Sequence, residues 1–518
     1  MVYQLEQIIK DKMKLLVFRL KFLISLIGFI TLVNCYNDKY SDIPVSEDNS
    51  LVFESFILEK KNNPHLNEDI VFDIKNNMIQ GKLKTYFYNS IPTFSSNAKT
   101  VEVDDLEQVS SSSRVDFRKS ITYNLISESG SIKKYTVNIS WDDRLAHIYI
   151  DTEGGKPIIS KEKYLYTKLT IDGQSKYENR TIELSQKTRI KGRGNSTWYW
   201  PKKPYKIKLN TKETLLSDKD PLSQLLPEKD WVLLADFQDG VHLLNNVAFT
   251  IGRMLEMPFT NTIIPVELTL NGNYIGLYGL TEQVEVKTNR VNVGERGILL
   301  EFDQYFDEDW QFRSNNYNLP VMVKDPGLNS QAELNLIESE WNAFEALVAH
   351  EDFPNNNYLD YIDASSIAKY FIVNMLTSNE EINHPKSTYV YKKDGGKYEM
   401  GPIWDFDWAY GYEGTSQHFI NANKDLFWTN AKSGTTFFKR LILSDPEIKS
   451  LIKEYWSDFL TNHVEDLMAH IDDQSFIING AKARNLEIWN TSLITDEFFM
   501  KQWIENRISY MNSFINNF

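Results

Sequence analysis

From residue 51 to about residue 140 the apolar positions come in short runs broken by turn residues: Leu51-Val52-Phe53, Ile70-Val71-Phe72, Val101-Glu102-Val103, Ile121-Thr122-Tyr123 and Tyr135-Thr136-Val137-Asn138-Ile139. The last run alternates with a period of two and follows Ser129-Gly130, which predicts a strand entered from a hairpin. The whole stretch predicts a small β-sandwich, Ig-like, over 51–142. A second series of strands starts at Leu145-Ala146-His147-Ile148-Tyr149-Ile150-Asp151 and continues to about residue 300. Its clearest hairpin is Val266-Glu267-Leu268-Thr269-Leu270, a turn at Asn271-Gly272-Asn273, then Tyr274-Ile275-Gly276-Leu277-Tyr278; Asn-Gly between alternating runs is the strongest short-range hairpin signal. Beyond residue 330 the period becomes helical. Ile367, Tyr370, Phe371, Asn374 and Met375 share a face behind Asp363 as the cap, and Met500, Ile504, Ile508, Met511 and Ile515 form a closing stripe. Strands followed by helices over 145–518 predict an α+β domain with a β-rich first lobe, a helical second lobe and a site in the cleft between them.

The N-terminus follows different rules. Lys14, Arg19 and Lys21 precede an uncharged run over 22–33, well short of the ~20 apolar residues that span a bilayer, so 1–35 reads as a cleaved signal peptide. It ends Leu32-Val33-Asn34-Cys35, which resembles a bacterial lipobox and makes Cys35 the lipidation site and first mature residue. Residues 36–50 read as an acidic tether. With Cys35 the only cysteine in 518 residues, intramolecular disulfides, cysteine-rich zinc sites and iron–sulfur clusters are excluded. Net charge is −15, and −18 once residues 1–34 are gone, a surface that repels phosphate backbones and argues against nucleic acid as a partner. The expectation is an exported outer-membrane or cell-surface lipoprotein, on the membrane through lipid alone, with no transmembrane helix in the mature chain.

Polar residues crowd among aromatics in three places. The first is Lys191-Gly192-Arg193-Gly194-Asn195-Ser196-Thr197-Trp198, followed by Lys202-Lys203-Pro204-Tyr205-Lys206-Ile207-Lys208-Leu209. Its glycines allow close backbone approach, and consecutive amides with Arg193 form a candidate phosphate cradle. Thr197 stands where a GxGxxG loop has its third glycine, so a plain turn before a strand fits as well. The second is the stretch ending in Glu282, where a carboxylate after an apolar run is costly unless paired; Lys206 would satisfy it, and a surface acid at a strand end is the alternative. The third is Gly401-Pro402-Ile403-Trp404-Asp405-Phe406-Asp407-Trp408-Ala409-Tyr410-Gly411. On an extended strand Asp405 and Asp407 would face one side and repel unless a cation sat between them. Hard oxygen ligands suit Mg²⁺ or Mn²⁺, with water and phosphate completing the shell. Upstream, 378–386 offers a polar loop in which His384 is either a base or a turn residue.

Taken together, GRGNSTW with KKPYKIKL, the LNGNYIGLYGLTEQV hairpin, PKSTYVYK and GPIWDFDWAYG resemble the CotH family, the spore-coat-protein-H type of atypical protein kinase, from about residue 147 to the C-terminus. The lipobox and the preceding β-domain are similar to the arrangement in Bacteroidetes-type surface lipoproteins. The resemblance implies a kinase-like bilobal fold, ATP with Mg or Mn, and phosphoryl transfer to protein Ser or Thr. It implies that Lys206, or else Lys203, contacts phosphate with Glu282 as ion-pair partner, and that Arg193, Gly194 and Asn195 line the nucleotide. Asp405 would bind metal with Asp407 in support. The chain departs from the family where a catalytic Asp and a metal-binding Asn are expected, with Asn379-Glu380-Glu381 and then Lys386-Ser387. Glu381 would be a base one methylene longer, a displacement that costs about 10²-fold in rate.

Three functions stay open on these residues. One is an exported phosphotransferase acting on a protein substrate, against which the scarcity of ATP outside the cytoplasm counts. Another is a kinase-like domain without catalysis that binds a protein or glycan surface ligand through Trp198, Trp200, Trp404 and Trp408. The third is a metal-dependent hydrolase built on Asp405 and Asp407. The kinase reading requires Lys206, Glu282 and Asp405 to converge on one cleft.

Overall fold

The short apolar runs of the first unit make two larger sheets around one aromatic core, with a two-stranded ladder of Asn89–Ser90 and Val115–Asp116 beside them. In the computed structural model, which describes residues 49–183, 188–216, 226–414, 417–429, 432–489 and 496–518, Phe53–Leu58, Ile70–Val71 and Thr93–Ser96 form a three-stranded sheet. Asp73–Lys75, Met78–Lys84, Thr100–Val103, Leu106–Glu107, Thr122–Ile126 and Ile132–Asp142 form a six-stranded one. Phe53, Phe56, Phe72 and Tyr123 are buried in their shared core, Phe53 edge-on to Tyr123 at 5.7 Å. This unit is fastened to the helix Val464–Ile488: Arg118 pairs with Asp473 at 2.6 Å, and Trp141 meets Phe476 edge-on at 5.0 Å. The signal peptide, Cys35 and the tether up to residue 48 lie outside the described residues. Among the described residues no helix is long and apolar enough to cross a membrane.

The second series of strands closes on itself. Ala146–Thr152 pairs antiparallel with Leu165–Asp172 and parallel with Ile263–Leu270. The ladder runs on through Asn273–Glu282, Glu228–Leu234, Tyr205–Glu213 and Arg189–Gly192 back to Leu165–Asp172, with Arg180–Ile182 added at the side. Closure removes the exposed strand edges that invite mispairing. Ile148, Leu169, Ile190, Ile207, Trp231, Leu268 and Leu280 form its interior. The Asn271-Gly272 turn has φ of 49° and 78°, positive at both residues as a type I′ hairpin requires.

The C-terminal part departs from the purely helical lobe its period predicts. Ile298–Phe302, Gln311–Arg313, Pro320–Asp325, Thr388–Lys392 and Tyr398–Met400 form an antiparallel five-stranded sheet. Its central strands, ILLEF and TYVYK, are buried on both faces, so they lack the alternation by which a strand is recognised. The helices Leu244–Met254, Gln331–Ala349, Ala364–Thr377 and those from Ser433 onward pack with it in one core. Ala364–Thr377 starts where its cap predicts: the Ser366 amide donates to Asp363 at 2.6 Å. Along Glu497–Asn516, Met500, Ile504, Met511 and Ile515 are buried and Ile508 is partly covered.

Candidate functional site

The outer face of the closed sheet and the C-terminal part meet across a cleft of about 450 Å³. Of the residues singled out in the sequence, Arg193, Gly194, Asn195, Lys206, Glu381, Asp405 and Asp407 line it, and Glu282 and Lys203 do not.

Strand register explains Glu282. Residues paired across a sheet share a face, and successive residues alternate. Lys206 lies opposite Val232, and Val232 opposite Thr281; the adjacent row is Ile207, Trp231, Glu282. Lys206 and Glu282 therefore face opposite sides, and the expected ion pair is not formed. Lys206 pairs instead with Asp230 at 3.0 Å, while Lys208 reaches the other Asp230 oxygen at 3.8 Å. Glu282 is buried, accepts from the Thr262 amide at 2.8 Å, and has its pKa raised by that burial. Lys203 donates to the Trp198 carbonyl at 2.6 Å with its ammonium 5.3 Å from the indole centroid, so it braces the turn.

The turn itself is glycine-rich for reasons of packing. A Cβ on Gly192 would meet the Trp198 ring at 2.2 Å, and Gly194 has φ of +81°. The Gly192 amide donates to Ser160 O at 2.9 Å and the Arg193 amide to Pro204 O at 3.2 Å, so these two amides serve the fold and do not cradle a phosphate. The turn offers side chains to the cleft: Arg193, 5.4 Å from the Trp404 ring, and Asn195, held by Lys161 at 3.2 Å.

The segment 401–407 is not the extended strand expected of it. Asp405 adopts φ of +63°, with Trp404 and Phe406 buried beside Phe249 at ring separations of 5.9 and 6.2 Å. Burial of these two rings sets the backbone, and the aspartates reach the same cleft through an irregular turn. Ser387 Oγ donates to Asp405 Oδ2 at 3.3 Å. Asn245 Nδ2 donates to Asp407 Oδ1 at 3.2 Å, and Asn245 Oδ1 accepts from the Phe406 amide at 3.0 Å. Burial raises the pKa of both aspartates; the Asp405 charge adds to the rise at Asp407, and the Arg193 charge opposes it at Asp405. Glu381 is pushed up to about 8 by burial and then by Asp405, with Lys386 opposing. His384 Nε2 lies 3.5 Å from Glu381 Oε2, and burial lowers the imidazole to about 4. At pH 7 His384 is thus neutral and Glu381 mostly protonated.

Several residues of the cleft were not singled out in the sequence. Asp303, pushed up to about 7 by burial, accepts from the Tyr305 amide at 2.7 Å and the Ser387 amide at 3.4 Å. Asp236 is raised to about 7 by burial and then by Asp239. Glu301 pairs with Lys324 at 3.0 Å. Asp236 follows the apolar run VLLA and Asp303 follows ILLEF, the same signal that drew attention to Glu282.

Asp405 and Asp407 are hard oxygen donors confined together, a set that fits Mg²⁺ or Mn²⁺. Among the described residues no group of three His, Cys, Asp or Glu side chains is placed to hold a metal ion, so an ion on this pair would complete its shell from water and ligand. The family model described as CotH kinase protein matches residues 190–517, more than half of the chain, and spans Arg193, Lys206, Glu381, Asp405 and Asp407. No curated protein matches the chain.

Proposed function

This chain belongs to the CotH kinase protein family, and from that premise we propose that its cleft transfers a phosphoryl group from ATP to a Ser or Thr hydroxyl of a protein substrate. The observation that supports the reading is partial convergence: Arg193, Asn195, Lys206, Glu381, Asp405 and Asp407 line one cleft, whereas Glu282, the third residue the resemblance requires there, faces the other side of the sheet, so the reading stands without the Lys206–Glu282 ion pair. Arg193 supplies positive charge from the side of the closed sheet, and Lys206, shared with Asp230, would contact phosphate beside it. Asp405 and Asp407 would hold Mg²⁺ or Mn²⁺, whose charge neutralises phosphate oxygens. Glu381 would orient the hydroxyl and accept its proton, which it can do only as the carboxylate. On the strength of Cys35 and its preceding segment, the protein is exported and lipid-anchored at the outer membrane or cell surface, with an Ig-like domain before the family domain.

The test uses the purified full chain, γ-labelled ATP and Mg²⁺ or Mn²⁺, beside Asp405→Asn. Label should pass to protein and fall by about 10²-fold or more in the variant. Absence of both transfer and a nucleotide-dependent thermal shift would refute the reading. A second reading, ligand binding without transfer, is favoured by one observation: the Lys386 charge already offsets both Asp405 and Glu381. Nucleotide binding without transfer, with transfer gained in Lys386→Asn, would decide for it.

A further inference from the structure

A second groove, of about 1210 Å³, adjoins the cleft on the Lys386 side and exceeds the ~300–1,000 Å³ of small-ligand pockets. Lys386 lines both, and the change from Glu380 to Glu381 carries the chain from one to the other. Four cations line this groove against two carboxylates, Glu380 and Glu413, in a chain whose net charge is −15. Among the described residues the Lys424 ammonium is paired with Glu380, whereas Arg313 and Lys386 lie over rings, 4.6 Å from Phe306 and 4.2 Å from Trp408. Lys432 is the fourth, and no ion pair to it is formed among the described residues.

Aromatic rings line the groove beside these charges. Trp428 is 54% exposed, fixed by its indole N–H donating to Glu380 at 2.9 Å. Trp408 and Tyr412 stack at 6.2 Å. A groove in which Arg313 and Lys432 form no ion pair among the described residues, beside aromatic faces, suits a ligand that carries both carboxylates and apolar side chains. A neutral glycan would cover the aromatics and leave the cations without partners.

We propose that this groove binds an extended acidic segment of a polypeptide and presents its hydroxyl toward Glu381. The acceptor role rests on the phosphoryl-transfer reading; the binding preference does not. The test measures fluorescence anisotropy of short serine-containing peptides, one flanked by Asp, Glu and Phe and one by Lys, Arg and Phe, on the full chain without nucleotide. The acidic peptide should bind about tenfold or more tighter, and Arg313→Glu with Lys432→Glu should abolish the preference while leaving the melting temperature unchanged. Equal binding of the two peptides, a preference surviving in the folded double variant, or tighter binding of a polygalacturonate oligomer at the same place would overturn the proposal. The same peptides offered with labelled ATP separate the two readings. Acidic preference without transfer leaves the groove standing and removes the phosphotransferase, and transfer without preference does the reverse.

Discussion

Replacing Glu381 by Gln tests the electrostatics of the cleft without assuming any activity. Glu381 is 6% exposed and its carboxyl is raised from the ordinary 4.5 to about 8, first by burial and then by the Asp405 charge. The native state therefore holds a proton that the unfolded chain releases. Stability from that proton is fully present below pH 4.5 and is lost as pH rises to about 8. A displacement of this size, at about 1.4 kcal/mol for each pH unit, is worth about 5 kcal/mol. Glutamine mimics the protonated acid at every pH and removes the dependence. Urea unfolding followed by tryptophan fluorescence should show the variant and the parent differing by about 1 kcal/mol or less at pH 5, relative to a constant offset from altered hydrogen bonding. The variant's advantage should grow toward about 5 kcal/mol at pH 9. A difference that stays constant from pH 5 to pH 9 would refute the argument, because it would mean that Glu381 titrates alike in both states.

Two further predictions concern the chain that follows Asp405 and Asp407, from Gly411 to Lys424. Arg507 is fully buried and donates to the carbonyls of Met375, Ala422 and Lys424 at 2.7, 2.9 and 2.5 Å. Arg507→Met should cost about 3 kcal/mol or more, read from the urea midpoint, and a loss under about 1 kcal/mol would show that these carbonyls find other partners. Gly411 has φ of +72°, and a Cβ there would lie 1.8 Å from the Ile420 carbonyl oxygen. Gly411→Ala should destabilise by about 3 kcal/mol, from left-handed strain and backbone displacement together. A variant as stable as its parent would mean that the segment has room to move.

Local signals carried far in this chain, and pairing did not. The Asn271-Gly272 hairpin, the Asp363 cap and the stripe from Met500 to Ile515 were legible because each is set within a few residues. Closure of the sheet depends on Ala146 finding Val266, a partner that no local pattern encodes. Lys206 was found and its partner was not, since one residue of register separates Thr281, on its own face, from Glu282 on the other. In WDFDW the crowding of acids among rings marks the cleft but not its backbone conformation. Burial of Trp404 and Phe406 bends the backbone that alternation alone would extend.

The cleft also gathers costs that a fold selected for stability alone would shed. Asp236, Ser387 and Asp405 all line it, and all three hold φ in the left-handed region, at 47°, 43° and 63°. Left-handed backbone at residues other than glycine costs of the order of 1–3 kcal/mol at each position unless its surroundings impose it. Here Ser387 reaches Asp405, and Asp405 lines the cleft together with Arg193 and Glu381. The acids so gathered raise one another's pKa, Asp405 acting on Asp407 and on Glu381, and Asp239 on Asp236. Two large apolar cores hold this arrangement against its own repulsion. On the proposed reading, a cation arriving between Asp405 and Asp407 would relieve that repulsion and lower both carboxyl pKa values, so added Mg²⁺ or Mn²⁺ should raise the melting temperature of the parent and not of Asp405→Asn.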